Sequence, residues 1–227
     1  MTFQDIALRA EEFPMRFLLK LFLFVGLILG TTSCATYRID VTGYLDSARP
    51  PSLVPGKTIF VVQSPEADNP LLEREVASKI AKLLKEKGYP LSPAEDADFH
   101  LVFRYGIGRG PLHTGFISRP QDIRAYDPYS KTWYYETVYR YEPYSIQYLT
   151  RSLSIRVIDA HKLRESGQTE VVWAGDTVSE GESRDLRIVI DYLLVTAFDY
   201  FGKDTGRTVQ TTLAPTDLRV IRLRENR

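Results

Sequence analysis

The chain has 227 residues, with 29 basic and 29 acidic side chains and therefore no formal net charge. Nothing in that balance calls for nucleic acid or an anionic membrane surface as a partner. A single cysteine excludes an intramolecular disulfide framework, so the fold must be held by its core.

The chain opens with "MTFQDIALRAEEFP", which carries Asp5, Glu11 and Glu12 where the first part of a leader should be basic. Met15 followed by "RFLLK" opens a compact, well-formed leader, so translation is expected to start at Met15. The uncharged run that follows, from 21 to 30, is ten residues long. A membrane-spanning helix needs about 20 apolar residues and a signal-peptide core roughly 7–15. Residues 1–33 therefore read as a signal peptide, with Thr32 and Ser33 supplying small residues at its end. Their removal takes away three acidic and three basic side chains (Asp5, Glu11, Glu12; Arg9, Arg16, Lys20), so the remainder stays neutral.

The sequence "GTTSC" ending at Cys34 resembles the bacterial lipobox, with Thr31 where that pattern usually has leucine. The resemblance implies that Cys34 is the lipid attachment site and the first mature residue. It implies a diacylglycerol on sulfur and an acyl group on the new N-terminus. Several acyl chains anchor stably where one binds only marginally. An uncleaved N-terminal anchor is the alternative reading.

Residues 34–214 read as one domain, large enough to build its own core. "YRIDVTGYL" alternates apolar and polar residues, as a strand does. "KTIFVV" is a second strand after a proline-rich turn. "NPLLEREVASKIAKLLKEKG" is a helix capped by Asn69, opened by Pro70 and ended by Gly88. Leu72, Val76, Ile80 and Leu83 form its apolar stripe, with Glu73, Lys79 and Lys82 expected to face outward. "ADFHLVFRYGIG" and "YLTRSLSIRVIDA" read as strands three and four. "HKLRESGQ" is expected to be a turn into a fifth strand, "TEVVWAGDTVS". A second helix is expected over about 183–201, with Leu186, Val189, Ile190, Leu193, Leu194, Ala197 and Phe198 on its apolar face. "RTVQTTL" adds a closing strand, and residues 215–227 are expected to be loosely held.

The order β-β-α-β-β-β-α predicts an α+β fold: one mixed or antiparallel sheet with two helices on one face and a long aromatic-rich insertion. The leader, the lipobox, "LLKEKGY" before "DADFHLVFRY", and "VVWAGDTVSEGESRD" leading into an apolar helix carry a wider resemblance. Together they resemble the Gram-negative lipoproteins grouped as a domain of unknown function (the DUF four-one-three-six type). The resemblance implies a periplasmic, envelope-associated domain; it implies no activity and no site residues.

"GIGRGP" is no nucleotide loop, because the third glycine of G-x-G-x-x-G would fall on Pro111 and no helix follows; it reads as a strand exit. His100, His113 and His161 are dispersed, which predicts no metal site, and His100 is expected to be solvated. No G-x-S-x-G elbow is present. Asp127, Glu136 and Glu142 could in principle pair for acid–base sugar chemistry, although solvated loop carboxylates are commoner. No catalytic residue and no cofactor is expected.

Residues 122–148 differ in kind, holding eight of the fourteen tyrosines together with Trp133. Disordered segments are poor in aromatics, so disorder is a poor reading. Two readings remain and are compatible: a β-hairpin whose tyrosines pack across strands, and a binding surface for protein or glycan. Tyr126, Tyr129, Trp133, Tyr134, Tyr135, Tyr139 and Tyr141 are the candidate binding residues.

The expectation is a non-enzymatic lipoprotein on the periplasmic face of the outer membrane that binds or scaffolds another envelope component. Ala35 favours outer-membrane sorting, since in enterobacterial lipoproteins aspartate there signals inner-membrane retention. The alternative is a carbohydrate-binding or glycan-active envelope protein using the tyrosine-rich segment. Beyond the membrane, reached through the N-terminal lipid, the expected partners are an envelope protein or glycan and not nucleic acid.

Overall fold

The computed structural model describes residues 36–46 and 53–225. The leader, Met15 and Cys34 lie outside the described residues. The elements run β1 (Tyr37–Leu45), β2 (Ile59–Val62), α1 (Pro70–Glu86), β3 (Phe99–Asp127), β4 (Thr132–Asp159), α2 (Ala160–Ser166), β5 (Val171–Gly181), α3 (Leu186–Asp199), β6 (Val209–Leu213) and α4 (Leu218–Arg224). The six strands form one mixed sheet in the order β2-β3-β4-β5-β1-β6. Only β2 and β3 are parallel; every other neighbouring pair is antiparallel. The α+β class expected from the element order is what the chain adopts.

Alternation decides which face of each strand is covered. On β4, Leu153, Ile155 and Val157 are buried, as are Leu101 and Phe103 on β3 and Ile39 and Val41 on β1. All of these except Val41 join the buried side chains of α1, α3 and α4 in one hydrophobic cluster. The intervening positions form the open face, where Arg156 pairs with Asp176 across β4 and β5. Trp173, only 1% exposed, folds its ring over the place where a side chain on residue 175 would stand, so glycine is required there.

The first helix begins as its sequence indicates. The Asn69 side chain accepts from the amides of Leu71 and Leu72, Pro70 occupies the first turn, and Gly88 takes φ +83 just past the end. Its polar side chains depart from expectation, because Glu73 and Lys79 are buried. Leu84 is fully buried while Leu83 only packs against the core's margin. Tertiary partners explain both charges. Glu73 accepts from the Ser64 amide at 2.8 Å. It also accepts from the Tyr105 hydroxyl, whose burial and contact with that carboxylate push its pKa up to about 12. Lys79 sits between Glu75 and the fully buried Asp191 of α3. Asp191 receives a second cation, Arg224 of α4, at 3.0 Å.

Two helices exceed the expected two. Residues 160–166, expected as a turn, form α2, because the Asp159 side chain caps the Lys162 amide and Gly167 adopts the left-handed conformation at its end. The tail beyond Pro215, expected to be loosely held, forms α4: Asp217 caps it, and Val220 and Leu223 are buried. Arg219 reaches Asp199 of α3 at 2.6 Å, so charge as well as apolar contact holds this helix in place.

Candidate functional site

The largest departure from the sequence reading concerns β3 and β4, which are 29 and 28 residues long. Residues 106–111, expected to be a strand exit, lie inside β3. The segment expected as a long insertion is the continuation of both strands. Beyond Leu149, the last β4 residue paired with β5, the two strands pair only with each other. They form a two-stranded arm that turns at residues 128–131. Asp127 organises that turn. Hydrogen bonds from the Ser130 hydroxyl and the Tyr129 amide hold its carboxyl below the usual range. Lys131 takes φ 56, a conformation that few side chains other than glycine adopt.

A register shift between Arg109 and Leu112 sets the faces of the arm. β3 carries one extra residue there while β4 keeps its alternation, so β3 changes parity. Even-numbered β3 residues now lie opposite odd-numbered β4 residues on the face that is buried farther down the sheet. That face holds Leu112, Phe116 and Tyr126 from β3 and Trp133, Tyr135, Tyr139 and Tyr141 from β4. All seven are exposed. The other face holds Arg119, Arg140, Glu136 and Glu142, with Arg119 and Glu142 paired diagonally at 3.0 Å. The arm therefore has two unlike faces: one holds most of its exposed aromatics together with Asp122 and Arg124, and the other holds these charges together with exposed Ile117, Ile123, Tyr134 and Tyr144.

Five of the seven candidate aromatics share the aromatic face. Tyr134 points to the charged face, opposite Ala125, and Tyr129 stands in the turn at 97% exposed. Near the tip, Tyr126 and Trp133 lie 5.1 Å apart and the Arg124 guanidinium sits 4.7 Å over the indole. Such a cation over an aromatic face is attracted by the ring quadrupole. Asp122 accepts from Thr137 across the strands at 2.7 Å, so the acidic side chain of this face is also engaged. Leu112 and Phe116 escaped the sequence reading, although the alternation in "LHTGFISRPQDIRAY" carries them.

The carboxylates considered for sugar chemistry are not brought together. Glu136 and Glu142 share a face of one strand six positions apart, about 20 Å at roughly 3.3 Å per residue. Asp127 is four positions from the residue opposite Glu136, about 13 Å. Glycosidase carboxylates stand roughly 5–9.5 Å apart. His113 packs edge-on against Tyr148 at 4.5 Å, and His161 lies 3.4 Å from Asp98. His100, expected to be solvated, is half-buried with Nε2 3.1 Å from the Ala94 carbonyl and its ring against Phe60. Among the described residues, no three His, Cys, Asp or Glu side chains converge to hold a metal ion.

A family model described as "Domain of unknown function (DUF4136)" matches residues 33–201. The chain belongs to this family. The DUF4136 match contains Cys34 and the whole arm and stops before β6 and α4. No curated protein matches the chain. Among solved structures, a PDZ domain protein from Parabacteroides distasonis is 14% identical, with a TM-score of 0.43. The match covers 84% of this chain but spans only 42% of that one. A PelC dodecamer from Paraburkholderia phytofirmans is 14% identical over 73% of this chain and 98% of that one, with a TM-score of 0.37. A second PelC dodecamer from the same organism is 15% identical over 70% and 94%, with a TM-score of 0.36. All three scores are low, and none bears on what this DUF4136 chain binds.

Proposed function

We propose that this DUF4136 chain is a non-enzymatic envelope lipoprotein, anchored through an acylated Cys34, that binds or scaffolds another component of the cell envelope. In this reading the two long helices cover one face of the sheet as a rigid base, and the arm is the working insertion. Localisation to the periplasmic face of the outer membrane follows from the lipobox resemblance and from Ala35. The observation that carries the proposal is the uncovered aromatic face of the arm. A two-stranded hairpin is marginally stable in water on its own. Contiguous exposed apolar surface of this kind marks sites of interaction. The separated carboxylates support binding over catalysis.

Carbohydrate binding without catalysis is a second reading. It is favoured by the open row of Tyr135, Tyr139 and Tyr141, because aromatic faces can stack on sugar rings.

The test is to recover partners from envelopes with the acylated protein, then compare Trp133→Ala, Tyr135→Ala and Tyr139→Ala. A binding surface gives at least one variant with unchanged melting and weaker capture, a hot-spot truncation costing about 2 kcal/mol or more. If capture falls only in step with melting, the aromatics are merely structural. Three variants with unchanged capture and melting would remove the basis of the proposal.

A further inference from the structure

The position of β1 in the sheet bears on what covers the aromatic face. The described residues begin at Thr36, directly ahead of β1. β1 places Asp40 opposite Val178, and β5 places Gly181 opposite Leu149. The start of β1 therefore lies at the end of the sheet from which the arm departs. Only β5 separates β1 from β4, so the start of β1 is about 10 Å from the arm base at about 4.8 Å per strand. Cys34 precedes Thr36 by two residues, no more than about 7 Å of extended chain. Acyl chains on Cys34 would thus hold a bilayer beside the arm and not at the far end of the sheet.

The arm is built to meet such a surface. From Leu112 to Asp127 it is about 50 Å long at roughly 3.3 Å per residue. Tyrosine and tryptophan concentrate where headgroups meet hydrocarbon, and five of the seven large apolar and aromatic side chains on its aromatic face are of these two kinds. Its other face carries both signs of charge, which belong in water, beside exposed Ile117, Ile123, Tyr134 and Tyr144. At its base, Gly106, Gly108 and Gly110 adjoin the register shift, and a bulge beside glycines lets a ribbon bend. Depth is limited by the backbone. A hairpin with two open edges cannot enter the hydrocarbon, where every peptide group must be satisfied. Pro120 on β3 and Pro143 on β4 offer no N–H to a neighbouring strand, which discourages closure with copies of itself.

We infer that the aromatic face of the arm lies on the lipid bilayer at headgroup depth, a second point of attachment beside the acyl anchor. This rests on the reading of Cys34 as the anchor and of the arm as a docking surface, and it names the bilayer as what the arm takes. The test uses the full acylated chain reconstituted in phosphatidylcholine vesicles. The acyl chains carry bromine either near the glycerol end or near the methyl end. The chain has two tryptophans, and Trp173 is buried, so the difference between wild type and Trp133→Phe reports the arm.

The expected result is strong quenching of Trp133 by the shallow bromines and weak quenching by the deep ones. Tyr139→Asp on the aromatic face should cut the shallow quenching by at least half, whereas Val138→Asp on the opposite face should leave it unchanged. Stronger quenching by deep bromines means that the arm crosses the hydrocarbon and overturns the inference. A chain that floats with vesicles while Trp133 stays unquenched also overturns it, leaving the anchor intact. Failure to float overturns the anchor and the inference with it. A Trp133 signal that shifts with protein concentration in vesicle-free detergent assigns the face to a second copy instead. Partner capture that depends on the arm, without quenching, keeps the docking reading and removes the bilayer.

Discussion

Asp191 is the point at which α1, α3 and α4 are tied together, and replacing it by leucine tests how much that tie contributes. The carboxylate is fully buried and sits between Lys79, itself buried, and the half-buried Arg224. Removing one member of a buried ion pair costs roughly 3–5 kcal/mol, because the remaining charge is left in a poor solvent. Lys79 keeps a second partner in Glu75 at 2.8 Å, so the lower end, about 3 kcal/mol, applies here. With a urea dependence of about 2 kcal/mol per molar, the midpoint should fall by about 1.5 M. Fragment 35–227 carrying Trp133→Phe, followed by the fluorescence of buried Trp173, provides the measurement. The double variant Lys79→Met with Asp191→Leu replaces the pair by apolar groups and should recover most of the loss, a coupling of about 2 kcal/mol. A single variant within about 0.3 M of wild type, or strictly additive losses in the double, would refute the reasoning.

Leu193→Asp places an unpaired charge where a fully buried leucine meets the sheet, and fragment 35–227 should lose cooperative unfolding in urea. A melt within a few degrees of wild type would mean that α3 does not pack as described. Asp98 contributes to the acid limb. Burial favours its neutral form, but hydrogen bonds from the Thr58 amide, Lys57, the Thr58 hydroxyl and His161 outweigh this and hold its pKa down to about 2. A depressed carboxylate stabilises the fold above its unfolded value of about 4, and that contribution drains away as pH falls toward about 2. Asp98→Asn should flatten stability against pH in that window, and a slope equal to wild type would assign it to other carboxylates.

The elements with a clean period were legible in the sequence. α1 announces itself by Asn69, Pro70 and Gly88, and α3 by a wide apolar face. The buried charges were not legible, because helical periodicity places Lys79 on a polar stripe and its partner Asp191 is 112 positions away. α4 was hidden by Arg219, Arg222 and Arg224, which read as a solvated tail until Asp199 and Asp191 are seen to receive two of them. The arm was half legible. Its β4 strand showed as a crowd of tyrosines, whereas Gly110, Pro111 and Pro120 made β3 look interrupted. In an arm paired on one side only, proline is tolerated where its nitrogen faces away from the partner, so the breaker signal lost its force. Which β3 residues share a face with the tyrosines of β4 depended on the parity change at the bulge, which no local pattern announces.

The strand order also fixes when the sheet can be completed. β1 ends at Leu45, yet its two neighbours, β5 and β6, begin at Val171 and Val209. During synthesis from the N-terminus, the earliest of the described strands has no partner until well over half of the chain has been made. Contacts between residues so distant in sequence slow folding, because a long loop must close before they form. The β3–β4 hairpin needs only its own residues and can zip first, ahead of the sheet it extends. The strand that comes first among the described residues can therefore join the sheet only after both strands of the arm have been made.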